Sequence, residues 1–261
     1  TMSYTAAAII WIAVQSELSM LVAGGTATGK TSTLNVVCNF LPPNQRIISV
    51  EDTREITLPK NLHWVPMETR IANPDGKGEI SMLDLIVNSL RMRPDRIIVG
   101  EIRRKTEAEV LFEAMHTGHS VYGTFHANDA RETVVRLTNP PINVPKMLMP
   151  ALNLVLVQSR NRRTGKRRTF QLAEIDEEGN PNVLYQHNFR NDEFEQVRKW
   201  TRLMETLSLF TGFTPSEVAK DIEEKQVLLK YIVKNNMSDI NQLGLFFAMY
   251  YTNRLKIKGL Q

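Results

Sequence analysis

Hydrophobic and polar positions along the chain follow two periods, and the switches between them mark out the elements. Residues 5–17 carry apolar side chains at Ala6, Ile9, Ile10, Ala13 and Val14, the three-and-four spacing of one helical face, so an amphipathic helix is expected. A short apolar run over 20–23 reads as a strand and 31–40 as a helix. Leu41-Pro42-Pro43-Asn44 then breaks the chain before a second strand over 46–51. A helix over 82–91 leads to a strand over 96–100, and a helix over 107–117 leads to a strand over 120–125.

This alternation predicts an α/β domain with a mostly parallel sheet and helices on both faces. Ligands of such sheets sit beyond the carboxyl ends of the strands. Between Leu154 and Ile175 two β-like runs flank Arg160-Asn161-Arg162-Arg163-Thr164-Gly165-Lys166-Arg167-Arg168, which reads as a β-hairpin with a basic tip. Beyond Pro181 helical patterns are expected in place of strands. Thr214-Pro215-Ser216-Glu217 has capping-box spacing with proline at the first helical position, and Val218, Ile222, Leu229, Ile232 and Val233 supply an apolar face. The expected division is therefore an α/β domain over 1–190 and a helical subdomain over 191–261.

Composition narrows the class. A chain of 261 residues with 42% hydrophobic and 23% charged residues has the profile of a globular protein with a large core. Cys38 is the one cysteine, which excludes an intrachain disulfide framework and a cysteine-based zinc site and suits a reducing cytoplasm. No apolar run reaches the length of a membrane span, and the stretch 6–14 lacks the basic lead-in and cleavage context of a signal peptide. The net charge of +4 is too small to name a partner.

The chemistry gathers at the predicted strand ends. Gly24-Gly25-Thr26-Ala27-Thr28-Gly29-Lys30-Thr31 fits the P-loop pattern in full and stands between a strand and a helix, as its mechanism requires. Glycines let backbone amides curl around phosphates, and the helix start adds free N–H groups and a favourable dipole. Gly25, Thr26, Ala27, Thr28, Gly29, Lys30, Thr31 and Ser32 are the candidate nucleotide contacts, with Lys30 on the terminal phosphates and the Thr31 hydroxyl on Mg2+. The second strand ends in Glu51, Asp52 and, after a turn, Glu55. A carboxylate there can orient or deprotonate a water, although a solvated acidic turn has the same composition.

The run Arg96-Ile97-Ile98-Val99-Gly100 leads into Glu101, the form of a Walker B strand with glutamate in place of the usual aspartate. Glu101 could hold magnesium through a water or help position the nucleophile. Arg103 places a cation beside it, which an ordinary ion pair would also explain. His116, His119 and His126 span a helix, a turn and a strand, a spacing that disfavours zinc. His126, just past the strand 120–125, is placed to meet a γ-phosphate. Arg70, Arg91, Arg93 and Arg104 are further cations that could meet developing phosphate charge.

Taken in order, these blocks resemble the type II/IV secretion ATPase superfamily, which serves secretion systems, type IV pili and the archaellum. The Walker A loop is followed by a segment similar to that family's Asp box, Val50-Glu51-Asp52-Thr53-Arg54-Glu55. A Walker B segment ends at Glu101-Ile102-Arg103, and a segment similar to the His box runs from Thr117 to Asn128. The stretch from Arg136 to Lys146 resembles the archaeal branch.

The resemblance implies a RecA-like fold, ATP and Mg2+ as cofactors, Glu55 as catalytic carboxylate, Glu101 as support for magnesium or water, and His126 as reader of the γ-phosphate. It implies a homohexamer when full length, peripheral at the cytoplasmic face of a membrane and working on an integral-membrane platform protein. Two departures stand out: no four-cysteine zinc module can form, and the P-loop begins at Gly24, so the family's N-terminal domain is expected to be absent. The alternatives are a RecA-like nucleic-acid motor using the basic hairpin and a non-hydrolysing nucleotide-dependent scaffold. The hairpin has no aromatic residue before Phe170 on which bases could stack, which weighs against the first.

Overall fold

The computed structural model describes residues 2–252. The last part of the expected helical subdomain, 253–261, lies outside them. Nine strands form one sheet in the order β3-β2-β4-β5-β1-β6-β7-β8-β9. They are β1 (Met20–Gly24), β2 (Arg46–Glu51), β3 (His63–Glu68), β4 (Arg96–Val99), β5 (Ser120–Phe125), β6 (Leu154–Arg160), β7 (Arg167–Ile175), β8 (Pro181–Asn188) and β9 (Glu193–Gln196). Every pairing from β3 through β6 is parallel and those from β6 to β9 are antiparallel.

The helices are α1 (Tyr4–Gln15), α2 (Lys30–Cys38), α3 (Met82–Leu90), α4 (Lys105–His116), α5 (Ala130–Thr138), α6 (Arg202–Thr211), α7 (Pro215–Lys234) and α8 (Ile240–Tyr251). β1, β4 and β5 are buried along their whole length, as strands covered by helices on each side must be. Among the described residues no helix is long and apolar enough to cross a membrane.

Three expectations need correction. The helix at the start is not amphipathic. Ala6 and every residue from Ala8 to Val14 is buried, and a helix apolar all round has to lie in an interior. There Trp11 stacks on Phe40 at 5.4 Å and meets Phe247 edge-on at 4.8 Å.

The chain beyond Pro181 does not turn directly to helices. β8 and β9 extend the sheet by antiparallel pairing first, so the helical part starts at Arg202, not at 191. Within α7, Val218, Ile222, Leu228 and Ile232 face the core, whereas Val233 is exposed and Leu229 only partly buried. The Thr214 capping box forms as read, with the Glu217 N–H donated to the Thr214 hydroxyl and the Thr214 N–H to the Glu217 carboxylate.

The pattern of hydrophobic and polar positions does not by itself predict β3 or α5. The edge strand β3 carries Pro66, which a central strand would exclude and an edge strand tolerates. The short helix α5 buries Ala130, Thr133, Val134 and Leu137 and is capped by Asp129, which accepts the Glu132 N–H at 2.6 Å.

Candidate functional site

The strands β2, β4, β5 and β1 lie side by side, so their carboxyl ends bring four sequence-distant segments to one rim. β1 ends at Gly24, and the loop returns on itself to start α2. A Cβ on Gly24 would fall on the Thr28 hydroxyl and 2.9 Å from the Gln158 carbonyl oxygen, so the strand end admits no side chain. Gly29 caps α2 with φ of 94°, a left-handed conformation open to glycine at little cost. The loop is closed by its own side chains. The Thr28 hydroxyl donates to the Gly25 carbonyl at 2.9 Å, and the Lys30 ammonium donates to the same oxygen at 3.0 Å.

Opposite the loop stand the carboxylates. Glu51, at the end of β2, is 1% exposed. Its Oε1 accepts the backbone N–H groups of Glu55 and Ile56, both at 2.9 Å, and its Oε2 is buried with no partner. A buried carboxylate oxygen without a donor is costly in a finished interior and ordinary in a site that receives a ligand or water.

Glu101 follows β4 and is held by Arg103, whose Nε donates to Glu101 Oε2 at 2.8 Å. The Arg103 Nη1 reaches Asp52 Oδ2 at 2.7 Å, so one guanidinium joins the ends of β2 and β4. Thr124, on β5, donates its hydroxyl to the Gly100 carbonyl at 2.6 Å. Together they line a cleft of about 530 Å³ with Ala27, Thr28, Gly29, Lys30, Thr31, Ser32, Glu55 and Arg167.

The electrostatics follow from this placement. Burial lowers the Lys30 pKa from its ordinary value, and the nearby Glu101 and Glu55 charges oppose that shift. Arg103 is raised, first by its hydrogen bond to Glu101 and then by the Glu101, Asp52 and Glu107 charges. Net positive charge at the loop and net negative charge across from it suit a polyphosphate whose terminal group meets both. Among the described residues no group of three His, Cys, Asp or Glu side chains could hold a metal alone. Magnesium, however, draws most ligands from phosphates and water, and Thr31 and Glu101 both line the cleft.

Most of the sequence candidates therefore share one cleft, but His126 is set apart. It lines a smaller cavity with Phe125, Arg136 and Ile142, which touches the first only through Glu101 and Arg103. His116 and His119 are farther still, in a groove with Ser19 and Asn153 at the opposite end of the strands. Arg70 and Arg104 line a fourth cavity with Asp52, Glu101 and Arg103. Arg91 and Arg93 line none of these four.

Sequence alone does not single out Glu51, Thr124 or Arg167 within this cleft. Glu51 stood among the acids, but only burial separates it from Asp52. Thr124 lay inside the His-box segment with nothing to single it out. In the sequence Arg167 belongs to the hairpin's basic tip. β7 returns it to the P-loop, where its Nε donates to the Ala27 carbonyl at 2.9 Å.

A family model described as "Type II/IV secretion system protein" matches residues 3–188. An uncharacterized protein of Methanocaldococcus jannaschii is 34% identical over 236 residues, covering 87% of this chain and 86% of that protein. VirB11 of Agrobacterium tumefaciens is 38% identical over 112 residues, which are 43% of this chain and 32% of VirB11. Among solved structures, the VirB11 ATPase of the Brucella suis type IV secretion system, in complex with sulphate, matches with a TM-score of 0.55 at 24% identity. That match covers 65% of this chain and 52% of the other. The Legionella pneumophila ATPase DotB matches with a TM-score of 0.52 at 20% identity, over 91% of this chain and 62% of DotB. These two likenesses bear on the fold, which is RecA-like, and this chain spans little more than half of each solved relative. The Methanocaldococcus relative agrees with the archaeal character of the 136–146 segment.

Proposed function

The chain belongs to the type II/IV secretion system protein family, and from that premise we propose that it hydrolyses ATP to power a type II secretion, type IV pilus or archaellum-like membrane machine. The observation that carries this reading is the clamp of the buried Glu51 on the Glu55 segment, facing Lys30 across the cleft. A scaffold that only bound nucleotide would need the loop, but not a carboxylate locked at a strand end.

Each residue then has a task. The loop amides and Lys30 hold the phosphates, and Ser32, the third residue of α2, extends the cradle. Thr31 and Glu101 would hold Mg2+, which supplies charge neutralisation at the phosphates. Glu55 takes the proton of a water that attacks the γ-phosphorus, ADP departs, and the proton leaves with the released phosphate. Glu51 is the positioning residue, because its two accepted N–H groups fix where the Glu55 backbone lies. Arg103 keeps Glu101 oriented, and His126 senses the γ-phosphate from beyond Glu101.

Two solved structures of similar fold are described as ATPases, one of them from a type IV secretion system. From the resemblance of its motifs to this family, the whole protein is assigned to a homohexamer at the inner face of a membrane, with an integral-membrane platform protein as partner. The nucleic-acid motor reading has less support. Phe170, the aromatic residue nearest the hairpin tip, is stacked on Phe189 at 5.6 Å and is not free for a base.

The test is Mg2+-dependent ATP hydrolysis by the protein and by Glu55→Gln. Turnover should fall at least a hundredfold in the variant while ATP binding persists. Turnover that survives the substitution would refute the assignment of the base. Hydrolysis that rises on adding nucleic acid would point to the other motor class.

A further inference from the structure

Six basic side chains crowd the β6–β7 hairpin, and the fold sends two of them away from its tip. Arg168 forms a two-pronged pair with Asp192, Nε to Oδ1 and Nη2 to Oδ2, both at 2.7 Å. Arg167 turns the other way, into the cleft. Its Nε donates to the Ala27 carbonyl, and its Cδ packs 3.5 Å from where a Cβ on Gly29 would stand. Among the described residues its two terminal nitrogens have no hydrogen-bond partner. The guanidinium is thus anchored through one N–H over the start of α2, with the rest of its donors open to the cleft.

The sheet order shows which part of a nucleotide those donors would meet. Glu51, Glu55 and Glu101 come from β2 and β4, on one side of β1, whereas Arg167 comes from β7, on the other side. The charges that act on Lys30 are Glu101, Glu55 and Arg103, all from the acid-bearing wall. The γ-phosphate must face the carboxylates that activate water, so the opposite wall faces the adenosine end of the phosphate chain.

We propose that Arg167 is a nucleotide-binding residue that grips the α-phosphate from the β7 wall while its Nε holds the P-loop at Ala27. This rests on the ATPase reading of the cleft and specifies how the nucleotide is held there. A guanidinium suits the task because its fixed fork can serve the carbonyl and the phosphate at once. The contact is made to a part common to ATP and ADP, so it belongs to nucleotide affinity and not to discrimination between substrate and product.

The experiment is titration of the protein and of Arg167→Ala, Arg167→Gln and Arg167→Lys with fluorescent ATP and ADP analogues, beside Lys30→Ala and with a melting curve for each. Arg167→Ala should weaken both nucleotides by the same factor, about tenfold or more, the range of a lost charge-assisted hydrogen bond. Arg167→Lys should recover part of the loss. Arg167→Gln, which keeps a donor for Ala27 but no charge, should not.

Wild-type affinity in Arg167→Ala would overturn the proposal, and so would a loss confined to ATP, which would place the side chain at the γ-phosphate. Wild-type affinity in Arg167→Gln would overturn it as well, leaving only the bond to Ala27. If the unaltered protein bound neither nucleotide, the ATPase reading itself would fall and this proposal with it. Binding abolished by Lys30→Ala but untouched by Arg167→Ala would sink the proposal alone.

Discussion

At the scale of single residues, two positions test the site by opposite means. Gly24 is constrained by space, since a methyl group there would strike Thr28 and the Gln158 carbonyl, both part of the rigid surroundings. Gly24→Ala should displace the loop and abolish nucleotide binding without unfolding the chain, which calorimetric titration beside circular dichroism would show. Glu51 is constrained by what it holds. Glu51→Gln keeps a carbonyl oxygen for the Glu55 and Ile56 N–H groups, whereas Glu51→Ala leaves both unpaired. A displacement of a catalytic group by about 1 Å can cost on the order of a hundredfold in rate. Steady-state kinetics should therefore show Glu51→Ala losing roughly that much in kcat at saturating ATP, with Glu51→Gln much less impaired. Equal losses would assign Glu51 a direct role in the chemistry.

At the scale of elements, charges fasten the outlying parts. Lys225 on α7 is 0% exposed, and its ammonium lies 2.6 Å from both Asp221 oxygens and 3.0 Å from the Tyr250 hydroxyl of α8. It also faces the Trp11 ring of α1 at 5.4 Å. One side chain thus ties three helices together. Removing one member of such a buried pair strands the other, so Lys225→Ala should cost about 3 kcal/mol in urea unfolding. The double change Lys225→Met with Asp221→Leu should cost much less.

Where β8 meets β9, the buried His187 has its Nε2 3.1 Å from Asp192 Oδ1. Burial lowers the His187 pKa from 6.5, with Arg168 adding to that effect and Asp192 opposing it. The unfolded chain takes up a proton that the folded site resists, so stability holds above about pH 6.5 and declines as pH falls below it. His187→Gln should flatten the dependence of Tm on pH between 7 and 5. Asp192 does not compete in that window. Its hydrogen bond with Arg168 holds it at about 2, so its contribution persists above its unfolded value and is lost only as pH falls through about 2.

At the scale of the whole molecule, the parallel half of the sheet builds the acid-bearing wall and the antiparallel half carries the basic one. The nucleotide would touch both. Ligand that binds only the folded state stabilises it by about 2.7 kcal/mol at a hundred times Kd. For a chain of this size that is on the order of 5–10 °C in Tm. MgATP should produce such a shift in differential scanning fluorimetry, and Lys30→Ala should erase it.

The sequence by itself determined the α/β alternation, the P-loop, the order of the acidic and Walker B segments, and the hairpin, because each rests on local periodicity or on a contiguous motif. What only the tertiary structure decided depends on neighbours distant in the chain. Pairing with β2 makes β3 a strand despite Pro66, and the flanking helices bury α1 on every side. The choice among Glu51, Asp52 and Glu55 needed burial, which composition does not encode. Arg167 and Arg168 look alike in sequence, but neighbouring residues on a strand point to opposite faces. One therefore meets the P-loop and the other meets Asp192.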